Sequence, residues 1–137
     1  MKKFVLLLCV TVLFFGCSPG QDDNPKFHLE MLPVESAVFP TEFKKDQSYD
    51  ILVKFVRPTT CHIFNGFYYN TSSNVRTIAI QSSVIERDNC IPTSGAPIGQ
   101  ILKFKPTNET SYVFKLWKGK GEAGIDIYEE ITIPVIP

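Results

Sequence analysis

The sequence predicts an all-β domain, an antiparallel sandwich of about seven strands. Three observations predict it. From Phe27 onward, short runs rich in Val, Ile, Phe, Tyr and Thr alternate with turn clusters. No stretch sustains a 3.6-residue apolar period. Ten Pro and eight Gly among 137 residues punctuate the chain too often for long elements.

The first strand covers about Phe27–Phe39, with Pro33 as a break or edge feature. The turn Pro40–Gln47 leads into a second strand, Ser48–Val56. Its alternation is clean: Tyr49, Ile51, Val53 and Phe55 take one face, Asp50 and Lys54 the other. The third strand is Cys61–Tyr69, in which alternation sets Phe67 and Tyr69 against Phe64 and Tyr68. After the turn Asn70–Asn74 comes the fourth strand, Val75–Ile85. A longer loop, Glu86–Pro97, precedes the fifth strand, Gly99–Lys105. The sixth is Ser111–Lys118 and the seventh about Ile125–Val135, joined by the glycine-rich hairpin loop Gly119–Gly124.

One motif sharpens the class. Phe104-Lys105-Pro106, then Tyr112-Val113-Phe114-Lys115-Leu116-Trp117, resembles the passage between two strands of immunoglobulin-like and fibronectin-type domains. The resemblance implies an immunoglobulin-like sandwich. It also implies that Tyr112 is a corner tyrosine whose hydroxyl bonds back to the turn. An eight-stranded barrel or jelly roll is the rival architecture. In seven-strand order, the connections 57–60, 86–97 and 119–124 share one end, where the first strand also begins.

Residues 1–16 read as a targeting segment. Lys2 and Lys3 precede an apolar run, Phe4–Phe15, broken only by Thr11. That run is too short for a spanning helix, which needs about 20 residues, and fits a secretory signal. Leu13-Phe14-Phe15-Gly16-Cys17 resembles a bacterial lipobox, with its Leu four residues before the cysteine where the common pattern has three. The resemblance implies cleavage before Cys17, lipid on that cysteine and attachment to a membrane, with the outer membrane expected. Ser18-Pro19-Gly20-Gln21-Asp22-Asp23 resembles the acidic export signal of Bacteroidetes lipoproteins. The whole chain is similar to small Bacteroidetes-type lipoproteins that pair a lipobox with one β-sandwich. Residues 17–26 then form a lipidated tether and 27–137 one domain.

Of the four cysteines, Cys9 falls in the signal and Cys17 carries lipid. Cys61 and Cys90 remain, in an oxidising compartment, and pair as a disulfide. A metal site built on Cys61 and His62 is the rival. It lacks further ligands at suitable spacing, since His28 is the only other histidine.

The near-neutral charge gives no support for a nucleic-acid footprint. Lys and Arg number 14 against 14 acidic residues. Losing Lys2 and Lys3 leaves 12 against 14, a net of −2. No catalytic constellation and no cofactor motif stands out, so the chain reads as non-enzymatic, without cofactor or metal. Glu129 and Glu130 are adjacent on a strand and point to opposite faces, so they cannot act on one atom. The sequons at Asn70 and Asn108 carry no weight beside a bacterial signal.

Exposed aromatic rings are the best candidates for binding. Tyr68, Tyr69 and Trp117, with Arg57, Arg87, Lys118 and Lys120, define a basic, partly aromatic candidate ligand surface at the end shared by the three loops. The expected function is an anchored envelope module that binds a protein or glycan partner. A structural envelope lipoprotein without a small ligand is the alternative, and an enzyme or metal carrier the third. Exposure of Tyr68, Tyr69 and Trp117 separates the first from the second.

Overall fold

The computed structural model describes Gly20 and residues 24–137. The expected signal segment, Cys17 and most of the expected tether lie outside the described residues. Residues 24–26 are exposed and belong to no strand.

The described chain is all strand and connection, with no helix. In chain order the strands are β1 (Phe27–Leu32), β2 (Ser36–Val38), β3 (Phe43–Lys44), β4 (Tyr49–Phe55), β5 (His62–Ser72), β6 (Val75–Ile85), β7 (Ile98–Phe104), β8 (Ser111–Lys120) and β9 (Asp126–Ile136). Nine strands replace the expected seven. The first expected strand breaks at Pro33–Glu35 and changes partners. Its β1 half pairs with β6, whereas β2 pairs with β4 in the other sheet. β3 forms inside the segment expected to be a turn. It adds to β9 in parallel, Phe43 opposite Val135.

Two sheets result. The smaller is β2-β4-β7. The larger runs β1-β6-β8-β9-β3, with β5 also on β6. Pairing is not purely antiparallel, as the sequence led one to expect. Besides β3–β9, β6 and β8 are parallel, from Val75 opposite Val113 to Ile78 opposite Leu116. β1 takes the remainder of that edge of β6, from Leu32 opposite Ile80 to Phe27 opposite Ile85. β5 covers the other edge as an antiparallel hairpin.

The sheets share one core, the arrangement of a β-sandwich. From the small sheet come Ile51, Val53, Phe55, Leu102 and Phe104. From the large one come Ile78, Ile80, Tyr112, Phe114, Leu116 and Ile133. Leu32, Val34 and Phe43 complete the cluster. Ile51, Val53 and Phe55 are wholly buried and Asp50 and Lys54 exposed, as the period of two requires. Burying one such side chain stabilises the fold by roughly 1.5–3 kcal/mol.

Two local features position the later argument. A bulge between Phe64 and Phe67 shifts the β5 register, with Gly66 at φ 120° within it. Phe64 pairs with Ser82 and Phe67 with Ile80, so both rings turn to the core. This corrects the expectation that they lie on opposite faces. A second bulge, between Trp117 and Gly119 in β8, holds Gly119 at φ 104°.

Cys61 and Cys90 form a disulfide, with Cα atoms 5.5 Å apart. It staples the 57–60 connection to the 86–97 loop, which are laced together besides. Thr60 N–H donates to the Ile91 carbonyl (2.9 Å) and Thr93 N–H to the Pro58 carbonyl (3.1 Å). Tyr112 is wholly buried, and its hydroxyl accepts from Thr107 N–H at 2.9 Å, as expected of a corner tyrosine.

Candidate functional site

The outer face of a sandwich sheet ordinarily goes to solvent and is polar. On the larger sheet that face carries a groove of about 490 Å³. Alternation aims its walls. On β6, Ile78 and Ile80 face the core, so Thr77 and Ala79 face outward and form the floor. Tyr68 stands directly opposite Ala79 on β5. Trp117 and Tyr128 are cross-strand partners on β8 and β9. Met31 of β1, Lys120 and Asp126 complete the lining. Ala79 is fully buried although it lies on the outer face, because the larger side chains around it close over a methyl group.

The polar groups of the groove are partnered. The Trp117 indole Nε1–H donates to Asp126 Oδ1 at 3.0 Å, and Lys120 Nζ lies 3.3 Å from the same oxygen. The indole hydrogen bond, with the ammonium beside it, holds the Asp126 carboxyl below the usual aspartate range. Next to the groove, Lys115 pairs with Glu130 at 3.4 Å and lies over the Tyr128 ring, 4.7 Å from its centroid. The groove therefore offers ring faces and a methyl floor between charges that already neutralise one another. It suits an uncharged or amphipathic surface better than an anion.

The surface residues singled out in the sequence fall into three places. Tyr68, Trp117 and Lys120 meet in the groove. Tyr69 does not join them. It turns to the other face, pairs opposite Ile78 and sits by Arg76, whose guanidinium lies 4.7 Å from the centroid of the Tyr112 ring. Partial burial raises the Tyr69 hydroxyl above its ordinary value, against an opposing pull from Arg76. Lys118 points away from the groove as well. Its Nζ donates to the Glu35 carbonyl at 2.8 Å and pairs with Glu129 at 3.4 Å. Arg87 packs its Nε 3.2 Å from Cys61 Sγ, and the Arg57 carbonyl accepts from the Thr93 hydroxyl, so both belong to the stapled loops. Tyr68 and Tyr69 are exposed, 42% and 41%, and Trp117 is half-buried.

Sequence reasoning did not find Met31, Tyr128 and Asp126 for this site. Asp126, Tyr128 and Glu130 alternate along β9, which gave the signal for one face. Nothing local says that this face meets Tyr68 from β5.

The other polar cluster contains both histidines. His62 is buried. Its Nε2–H donates to Glu30 Oε2 at 3.2 Å, and its Nδ1 lies 2.9 Å from the Thr59 hydroxyl. His28 Nδ1 lies 3.2 Å from Glu86 Oε1. The disulfide removes the Cys61 thiolate that a Cys61–His62 metal site would need. Among the described residues, no three His, Cys, Asp or Glu side chains are grouped to hold a metal ion.

No protein-family model, no curated protein and no solved structure matches the chain.

Proposed function

We propose that the protein is an exported, membrane-anchored and non-enzymatic binding module of the cell envelope. In this reading Cys17 carries the lipid, and the groove on the large sheet takes a protein or glycan partner. The observation that carries the reading is the groove itself. Met31, Tyr68, Trp117 and Tyr128 expose ring and thioether surface on a face that normally goes to water, with Lys120 and Asp126 paired at its edge. Aromatic rings flanked by hydrogen-bonding groups suit a sugar ring or the apolar side chains of a partner. The envelope setting rests on the N-terminal sequence.

The same reading takes the sandwich as immunoglobulin-like. Three features support it: β4 pairs with β7, the short β3 crosses to lie parallel with β9, and Tyr112 bonds to Thr107 at the turn before β8. One pairing differs from the usual order. The second arm of the β5–β6 hairpin, rather than the first, lies beside β8 and runs parallel to it.

The test is titration of the mature chain with neutral oligosaccharides and purified envelope proteins, read by emission of Trp117, the only tryptophan. A binding partner whose affinity falls at least tenfold in Tyr68→Ala and Tyr128→Ala supports the groove. Binding that both substitutions leave intact places the site elsewhere. Retention of the native chain in membranes, and release of a Cys17→Ser variant, test the anchor.

A further inference from the structure

Three large apolar side chains stand out for their exposure: Ile125 at 69%, Phe27 at 65% and Ile91 at 64%, the highest such values among the described residues. Singly, exposed apolar residues need no explanation. These three share one end of the sandwich. Phe27 opens β1 opposite Ile85, the last residue of β6. Ile91 lies beside the disulfide, its carbonyl bonded to Thr60. Ile125 lies in the turn after β8, and β8 runs parallel to β6, so both strands finish toward this end. One step inward on the outer face, Leu29 and Ile63 flank Ser83 from either side, and both are exposed. The chain enters the domain here too, at residue 26.

We infer that this end is a lipid-contacting tip, whose Phe27, Ile91 and Ile125 side chains enter the headgroup–acyl boundary of the bilayer. The inference rests on the reading of Cys17 as acylated. Nine residues separate Cys17 from Phe27. They reach at most about 30 Å, no more than the length of the domain's own longest strands. So short a connection keeps the tip at a millimolar-range effective concentration next to the surface. Burial of a few side chains, which recruits a free protein only at high lipid, then suffices to seat an anchored one at low lipid. The charges favour an apolar mode. Lys26, Arg57, Arg87 and Lys120 at this end are equalled in number by Glu86, Asp88, Glu122 and Asp126. Contact should therefore need no anionic lipid and resist salt.

The test uses the mature acylated chain in phosphatidylcholine vesicles that carry acyl-brominated lipid. Ile91→Trp and Ile125→Trp report the tip. Asn108→Trp, in the connection before β8, reports the opposite end, and each is read against the parent signal of Trp117. The expected result is quenching several-fold stronger at residues 91 and 125 than at 108, unchanged when salt is raised. Equal quenching at all three positions, or none at 91 and 125, overturns the tip. So does emission at 125 that shifts with protein concentration instead of with lipid, which would make this end a contact between two copies. Mass of the mature chain tests the anchor separately. If Cys17 carries no acyl group the anchoring fails, and the tip is then read by floating the Cys17→Ser chain at high lipid. Co-flotation that falls about tenfold in an Ile91→Asp/Ile125→Asp variant, equivalent to about 1.4 kcal/mol, supports the tip. Absence of co-flotation overturns it.

Discussion

Cutting the Cys61–Cys90 bond should lower stability by about 3–4 kcal/mol and leave the fold in place. The two cysteines are 29 residues apart. For a loop of that length the chain-entropy relation gives about 3.6 kcal/mol at 25 °C, through the freedom that the cross-link removes from the unfolded chain. The native state should survive the cut. Thr60 and Ile91, Thr93 and Pro58, and the bridge between Thr59 and Pro92 still hold the two connections together. Cys61 is wholly buried, so Cys61→Ala adds a small cavity cost that reduction does not. For a domain of this size the loss corresponds to a fall in Tm of about 15 °C. The assay is urea and thermal unfolding of the Cys17→Ser chain, oxidised and reduced, followed by Trp117 emission. A Cys61→Ala/Cys90→Ala variant should unfold at or slightly below the reduced parent. If oxidised and reduced forms differ by less than about 1 kcal/mol, the unfolded chain is not being restrained as the relation assumes, and the reasoning fails.

Tyr112→Phe keeps the ring against Phe104, 4.9 Å away, but removes the hydroxyl that accepts from Thr107. It should cost about 1–2 kcal/mol in urea unfolding, and a neutral result would remove the structural role of this corner. Asp126 is ionised below the ordinary aspartate range, so its bond to Trp117 is intact at neutral pH and is lost as pH falls through that lowered value. Trp117 emission should show a matching acid transition that is absent in Asp126→Asn; a transition that persists belongs to another group. Ala79→Met should push apart the side chains that close over the methyl group, weaken partner binding at least tenfold and cost about 1–3 kcal/mol of stability. Unchanged affinity would show that the partner does not use the floor.

Features set by neighbouring residues were legible in the sequence. The period of two in Tyr49–Phe55 assigned its faces, and the burial of Ile51, Val53 and Phe55 follows it. Val75–Ile85 has the bounds read from composition. The disulfide followed from compartment and elimination, and Tyr112 from a short motif. Features set between distant segments were not legible. Phe64 and Phe67 share the core because the bulge containing Gly66 resets the alternation. A glycine inside a strand is a bulge signal, but it does not say which residues move. The break at Pro33 was visible, whereas the transfer of β2 to the other sheet was not. Counting along β8 sets Lys118 on the face away from Trp117, but it sets Lys120 there too; the bulge before Gly119 returns Lys120 to the face of Trp117.

The departure from the expected strand order and the groove have one physical origin. β6 gives one edge to two strands in succession: β8 along Val75–Ile78 and β1 along Ile80–Ile85. Ala79 is the residue between the two pairings. A single strand along that edge would continue one regular row of side chains over the outer face. Two strands leave a junction there, and the smallest side chain available without glycine's backbone cost occupies it. Tyr68 from the opposite edge, Met31 from one of the two strands and Trp117 from the other then stand around a methyl floor. The bulge at Trp117–Gly119 brings Lys120 opposite Asp126, where the carboxylate also meets the indole nitrogen. A sheet paired antiparallel throughout would have no reason to place these residues together. The parallel β6–β8 contact is therefore the step that turns exposed aromatic residues into a concave site.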